Sequence, residues 1–382
     1  MIQRSLGKCG LSASIIGLGC EHFVGLPLSA IQRVVDAAIA GGMNIFDVFM
    51  PDPEVRDDIG AALDGRRGRV ILQGHIGAGW KDAQYFKTRD LSECQFFFED
   101  FMRRYRTDYV DIGMIHFIDT KEDAEAARQN GLIEYALELK RKGVIRAVGL
   151  SSHDTKTALS LVQTGAIDVL MFSINPAFDV LPPEQDLDSL FLPETYEKRE
   201  KFIVSPERME LYQTCEKLGV GITVMKGLGA GILLDKSRSP FGAALTPAQC
   251  IHYGLTRPGV SSVLVGCRTE TEVEQALLYL EAADKEKDYA TVIAGAEKFS
   301  VTGRCVYCNH CLPCPAEIDI AAVNKYLDLF ELSSGAPETV RAHYAGLEKN
   351  ASDCIACGQC EERCPFAVKV IERMERARET FG

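Results

Sequence analysis

The sequence predicts an α/β chain, a (β/α)8 TIM barrel followed by a small, mainly helical module, and three observations predict it. Between residues 14 and about 282, eight short apolar runs alternate with longer amphipathic stretches. These ~270 residues divide into eight units of roughly 34, the size expected of a (β/α)8 barrel. Of the 14 cysteines, six are scattered over residues 1–304 and eight crowd into the last 78. That asymmetry divides the chain into two parts.

The 382 residues are 46% hydrophobic and 25% charged, enough for one large core and a smaller one. Disorder, collagen and a disulfide miniprotein are excluded on composition. A net charge of −12 argues against a nucleic-acid partner. No run reaches the ~18 apolar residues of a membrane helix, so no membrane is expected. Arg4 and Lys8 precede an apolar run at 11–20, but Ser12, Ser14, Gly17 and Gly19 interrupt it and Glu21-His22 follow. It reads as a turn and a strand rather than an export signal. The expected setting is cytoplasmic and reducing, where clustered cysteines bind metal more often than they pair.

The predicted strands are 14–19, 43–47, 70–75, 110–116, 145–150, 169–173, 221–225 and 261–265. Helical periodicity fills 30–40, 91–105, 122–142, 155–163, 206–217 and 271–280. Strands separated by helices imply a parallel sheet. An open doubly wound sheet would want a glycine-rich turn after strand one and an acidic residue ~20 positions later. Gly17-Leu18-Gly19 followed by Cys20-Glu21-His22 is not that fingerprint. Residues 182–205 read as a polar surface insertion, and 281–288 as a charged, solvated run.

Two cysteine runs end the chain, Cys305-x2-Cys308-x2-Cys311-x2-Cys314-Pro315 and Cys354-x2-Cys357-x2-Cys360-x3-Cys364-Pro365. Zinc modules present CxxC pairs 12 to 20 residues apart and do not repeat Cys-Pro. Three thiolates at CxxCxxC spacing wrap one face of an iron–sulfur cube, and a distant Cys-Pro completes its neighbour. By that analogy Cys305, Cys308, Cys311 and Cys364 hold one [4Fe–4S] cluster, and Cys354, Cys357, Cys360 and Cys314 the other. The 39 residues between the runs include an apolar-periodic stretch at 318–332, hence a helical module.

Catalysis in such barrels sits at the C-terminal strand ends. Those ends carry Glu21 and His22, Asp47, His75, His116, His153, Asn175, Lys226 and Arg268 in turn. Four of the seven histidines fall there, suited to proton transfer near neutral pH or to binding a metal. Lys226-Gly227-Leu228-Gly229-Ala230-Gly231 and Gly266-Cys267-Arg268 suit a phosphate. Phe23, Phe49, Trp80 and Phe117 are candidate pocket walls.

With these residues placed, the chain resembles the aldo/keto reductase superfamily, in the bacterial branch that fuses the barrel to a two-cluster ferredoxin-type module. The resemblance rests on GMNIFDVF, DYVDIGMIHFID, IRAVGLSSH, ITVMKGLGAGIL, VSSVLVGCRT and the two cysteine runs. It implies a barrel over 1–283, a linker over 284–300 and the cluster module over 301–382. It also implies NADP(H) hydride transfer and a catalytic Asp, Tyr, Lys and His. Asp47 and His116 match two of these. Asp52 stands where the family has its Tyr, and His75 where it has its Lys. The family's Ser-Asn pair reads Ser151-Ser152, its strand-six Gln reads Met171, and its Glu-Asn pair reads Gln275-Ala276. Arg268 is retained.

The leading expectation is an iron–sulfur oxidoreductase acting on a small-molecule substrate. Its clusters relay electrons from an external carrier of ferredoxin or flavodoxin type to the barrel mouth. His116 or His75 gives the proton, with Asp47 or Asp52 tuning it. Lys226, Gly227, Gly229, Gly231, Gly266, Arg268 and Ser151 bind the nucleotide. Two alternatives stay open: a metal at His22, His75 and His116 doing lyase or hydrolytic chemistry, and an inert barrel serving electron transfer or redox sensing.

Overall fold

A computed structural model describes residues 1–180, 204–295, 303, 305, 307–332 and 338–382. Eight parallel strands close into a barrel: β3 (Ile16–Gly19), β4 (Ile45–Val48), β5 (Ile71–Ile76), β8 (Val110–Ile115), β9 (Ile145–Ser152), β10 (Val169–Ser173), β11 (Gly221–Met225) and β12 (Val260–Gly266). Each pairs with its neighbour in chain order and β12 closes on β3, with Val263 opposite Ile16. All eight sequence-predicted strands are present within a few residues. They read as continuous apolar runs because both faces are covered.

Two hairpins complete the barrel, and periodicity announced neither. β1 (Gln3–Ser5) and β2 (Ser12–Ser14) pair antiparallel and plug the floor. Leu6, Leu11 and Ala13 pack there against the inward-facing Ile45, Ile71, Ile112, Val169 and Leu264. Gly7, with φ +53°, is obligatory at the plug, since a Cβ there would meet the Gly219 carbonyl oxygen at 2.1 Å. β6 (Ala78–Lys81) and β7 (Gln84–Lys87) form the second hairpin, above the mouth.

The predicted insertion at 182–205 lies outside the described residues except for Val204 and Ser205. Its root is fastened by a buried carboxylate. Asp179 Oδ1 accepts from Arg208 Nε at 2.8 Å and Tyr212 Oη at 2.6 Å, and Oδ2 accepts from Tyr253 Oη at 2.7 Å. Removing one partner of such a pair strands the other charge in a low dielectric. Asp179→Ala is therefore expected to cost about 3–5 kcal/mol, read as a lower urea midpoint at unchanged slope.

The stretch read as a linker is partly built into the barrel wall. Residues 284–294 form two short helices, Asp284–Lys287 and Tyr289–Ala294, and Tyr289, Ala290 and Ile293 are buried. The C-terminal module is helical as expected: Ile320–Leu332 packs on Val370–Phe381, flanked by Glu338–Ala345 and Gln359–Glu362. It is held by Lys325 to Glu216, and by His310 Nε2 to Asp288 Oδ2 at 2.8 Å. Glu216 lies near the end of the helix Pro206–Leu218, just before β11 begins. The module therefore docks at the N-terminal ends of β11 and β12, beneath the barrel. The expected relay to the mouth meets a steric fact here: the clusters' home is at the opposite end. No helix among the described residues is long and apolar enough to cross a membrane.

Candidate active site at the barrel mouth

Alternate residues of a barrel strand point inward, which brings Asp47 of β4 and His75 of β5 to the mouth, with His116 just past β8. Asp47 Oδ1 accepts from Gln73 Nε2 at 3.0 Å and lies 2.9 Å from His75 Nε2. His75 Nδ1 is 2.7 Å from His116 Nδ1. His116 Nε2 is in turn 2.7 Å from Tyr85 Oη, presented by the hairpin strand β7. The first three residues are buried and Tyr85 is 38% exposed, so one hydrogen-bond chain runs from the interior to the open edge. Phe49 stacks on His116 at 5.7 Å and meets His75 edge-on at 5.9 Å. Phe117 flanks His116 at 5.9 Å.

With Asp47 accepting, His75 carries its proton on Nε2, and its Nδ1 accepts from His116 Nδ1–H. His116 Nε2 then accepts from the Tyr85 hydroxyl. Every proton points toward Asp47. Burial holds His116 well below the ordinary imidazole range, and the neighbouring His75, Arg89, His153 and Lys87 push the same way. Burial pushes the Tyr85 phenol up to about 12. The chain is thus a neutral phenol backed by a neutral imidazole.

A histidine kept neutral by the fold but free to protonate when unfolded gives stability that is lost as pH falls below about 6.5. His116 does this, and so does His252, which burial lowers to about 4. Each is expected to cost up to about 1.4 kcal/mol per pH unit on acidification below 6.5. The His252 share ends near pH 4. Urea unfolding between pH 7 and 4.5 checks this, and His252→Gln flattens the dependence.

The other sequence candidates fall elsewhere. Asp52 caps the helix Pro53–Ala62, its Oδ1 accepting from the Glu54 amide at 2.9 Å. His22 is exposed and lies two strands from His75, its ring filling the space over Gly266, where a Cβ would meet it at 2.3 Å. His153 is committed to Asp119, with Nδ1 to Oδ2 at 2.9 Å. Strand ends fix the height of a side chain but not its position around the rim. The expected metal at His22, His75 and His116 is therefore corrected: these three do not converge. Among the described residues no group of three or more His, Cys, Asp or Glu forms a single-ion site. Phe23 is likewise core rather than pocket wall, being fully buried. Tyr85 is the residue that sequence reasoning missed.

Of the nucleotide candidates, Ser151 is buried on β9, and Asn175 Nδ2 donates to the Lys226 carbonyl at 2.9 Å, fixing the start of the 226–231 loop. Lys226, Gly229, Ala230 and Gly231 all have positive φ. At Gly231 no heavy atom lies within 4 Å of where a Cβ would stand, and Arg268 is exposed on the turn after β12, the strand paired with β11. An open backbone cradle and an exposed guanidinium fit an anionic nucleotide. Gly227 answers to packing instead, with Val263 at 3.1 Å, and Gly266 to His22.

The module's cysteines line two adjacent cavities. Cys305, Cys308, Cys311 and Cys364 line one, and Cys311, Cys314, Cys354, Cys357 and Cys360 the other. Each draws thiols from both sequence runs. Four soft donors lining one cavity are the donor set of an iron–sulfur cube. Cys357 is exposed beside Ile355, which is 65% exposed.

Residues 16–246 match the model of the aldo/keto reductase family, well over half of the chain. The chain belongs to the aldo/keto reductase family. Residues 304–369 match a 4Fe-4S dicluster domain, so this reductase barrel carries an iron–sulfur module. The chain is 29% identical over 188 residues to the uncharacterized oxidoreductase YqkF of Bacillus subtilis, covering 48% of this chain and 59% of that protein. It is 25% identical over 205 residues to the aldo-keto reductase YhdN of the same organism, covering 50% and 58%. The matches thus span less than two thirds of either relative. Aldo-keto reductase AKR11C1 from Bacillus halodurans, in its holo form, shares the fold with a TM-score of 0.60. That match has 21% identity and covers 78% of this chain and 98% of that one. Family and module together give the chain an aldo/keto reductase barrel joined to a 4Fe-4S dicluster domain.

Proposed function

We propose that the mouth interconverts a small-molecule carbonyl and its alcohol, with Tyr85 as the residue that exchanges a proton with the substrate oxygen. The observation that carries this is the unbroken chain Tyr85–His116–His75–Asp47, with steps of 2.7, 2.7 and 2.9 Å. The family's Tyr and Lys are absent from their usual positions, and this chain supplies a phenol from another element. With all protons pointing toward Asp47, the chain is ready to accept one: an alcohol proton goes to Tyr85 Oη, and each proton behind it moves one step inward. With one proton more, the polarity reverses and Tyr85 donates to a carbonyl oxygen. Lower pH therefore favours reduction and higher pH oxidation. Phe49 and Phe117 beside His116 favour a substrate with an apolar flank.

A nicotinamide nucleotide, when bound, supplies or removes the hydride. Ser151, the loop residues Lys226, Gly229 and Gly231, and Arg268 are the residues that would hold it. Gly266 belongs to the same rim, beneath His22. Anaerobic mixing of the cluster-loaded protein with NADPH and a panel of aromatic and aliphatic aldehydes and ketones tests the reading. Carbonyl-dependent loss of the 340 nm band, abolished in His116→Ala, is the expected result. No nucleotide binding and no carbonyl-dependent oxidation would sink it.

For the clusters, the two cavities favour the crossed sets read from sequence, Cys305, Cys308, Cys311 and Cys364 for one and Cys354, Cys357, Cys360 and Cys314 for the other. The exposed Ile355 and Cys357 surface is the natural side for an external one-electron carrier. Direct delivery to the mouth is disfavoured, since the seven residues of β12 alone span roughly 20 Å from floor to mouth.

A further inference from the structure

A cleft of about 480 Å³ lies between the barrel floor and the iron–sulfur module, the size of a small-ligand site. The floor contributes Arg4, His252 and Tyr279, and the module contributes Tyr307, Asn309 and Lys325. Asn309 and Ala321 line both this cleft and the cavity of Cys305, Cys308, Cys311 and Cys364. Anything bound in the cleft is therefore separated from that cluster by one layer of side chain.

The cleft's charge selects its ligand. Lys325 is paired with Glu216, and Asp319 caps the amide of Ala322 at 3.0 Å. Arg4 is anchored through Nη1 to the carbonyls of Leu255 and Val260, both at 2.9 Å, and forms no ion pair among the described residues. Arg257 also lines the cleft but is buried, its Nη2 donating to Thr256 Oγ1 at 3.0 Å and Tyr289 Oη at 3.1 Å, so Arg4 is the exposed cation at the space. His252 and the largely buried Tyr279 and Tyr307 give the cleft an aromatic lining suited to a flat molecule, the first two rings lying 6.0 Å apart at 35°. The module's chemistry narrows the class further. Clusters move single electrons, whereas hydride chemistry moves pairs, and flavin- or quinone-type rings do both.

We propose that this cleft binds a planar, anionic redox molecule of the flavin or quinone class, which exchanges single electrons with the cluster of Cys305, Cys308, Cys311 and Cys364. Two electrons arrive one at a time from the reduced clusters, each of which is oxidised by one electron. Two protons come from water in the open cleft, and the ring leaves as its dihydro form. This site does not rest on the chemistry of the mouth, and it gives the module a purpose at the end of the barrel where it docks.

The test uses the full chain with clusters loaded, under anaerobic conditions, with FMN, riboflavin and anthraquinone-2-sulfonate as probes. Equilibrium binding and the rate of reoxidation of dithionite-reduced clusters, with excess dithionite removed, are both read. Saturable binding of FMN or of the quinone sulfonate is expected, with a reoxidation rate that saturates over the same range. Which of the two binds identifies the ring class. Riboflavin, lacking the phosphate, should bind at least tenfold more weakly than FMN if the ring is a flavin. Arg4→Gln should weaken the bound anionic probe at least tenfold. Ala322→Trp, which fills the cleft from the module side, should abolish saturation while iron content and circular dichroism stay unchanged. If neither anionic probe saturates, or if both variants leave binding and reoxidation within twofold, the site is refuted. Mouth activity is not read, so failure here and failure of the carbonyl chemistry are told apart.

Discussion

Tyr85→Phe is expected to lower kcat for carbonyl–alcohol interconversion by two to four orders of magnitude, the usual worth of a positioned acid–base group, while leaving nucleotide binding and cluster content intact. The phenol stands at the solvent end of the chain and is 38% exposed, so removing its hydroxyl opens no cavity in the core. His116 Nε2 loses its 2.7 Å partner but keeps its 2.7 Å contact with His75, and Phe49 still stacks on the ring. The loss should therefore fall on kcat rather than KM. The double variant Tyr85→Phe with His116→Gln should be little worse than the single one, because residues acting as one relay are not additive. Asp52→Ala provides the contrast. That carboxylate caps a helix, so about 1 kcal/mol of stability should go with little change in kcat. Stopped-flow rates, nucleotide titration and urea melts on the three variants decide between a relay through Tyr85 and one through Asp52.

Why Asp47, His75 and His116 were legible in the sequence while Tyr85 was not has a physical answer. A parallel barrel fixes which strand residues reach the rim, so apolar runs ending in Asp or His give three members directly. Tyr85 comes from a hairpin whose two turn residues, Asp82 and Ala83, have φ +52° and +56°. Such turns are ordinarily flagged by Asn-Gly or Asp-Gly, and Asp-Ala carries no such flag. The aromatic residues Trp80, Tyr85 and Phe86 flanking the polar turn were the remaining signal. His22 failed for the converse reason: its strand end was read correctly, but its place around the rim depends on the bare Gly266 beside it. The docking of the module was illegible. It depends on pairs such as Lys325 with Glu216, 109 residues apart, and His310 with Asp288, which no periodicity encodes.

The cysteine assignment makes the second large prediction. Cys364→Ala should cost one whole cluster, lowering iron from about eight to about four per chain. Two arrangements predict that single result. If each sequence run held its own cluster, Cys364 would share with Cys354, Cys357 and Cys360. In the structure it lines a cavity with Cys305, Cys308 and Cys311 instead, its sulfur 3.5 Å from the Val368 amide that donates to it. Cys308→Ala separates the two. Combined with Cys364→Ala it should leave iron at about four if both thiols serve one cluster, and near zero if they serve two. Cys314→Ala combined with Cys364→Ala should behave in the opposite way and empty both sites, although these two residues come from different runs just as Cys308 and Cys364 do. Iron analysis and low-temperature EPR of the reduced variants read the outcome. Retention of four irons in the Cys314–Cys364 pair, or loss of all iron in the Cys308–Cys364 pair, would overturn the crossed arrangement. The test also bears on the cleft beneath the barrel, because Asn309 and Ala321 wall it off from the Cys305, Cys308, Cys311 and Cys364 cavity alone. Cys364→Ala should therefore stop electron exchange with a bound ring even though the second cluster remains loaded.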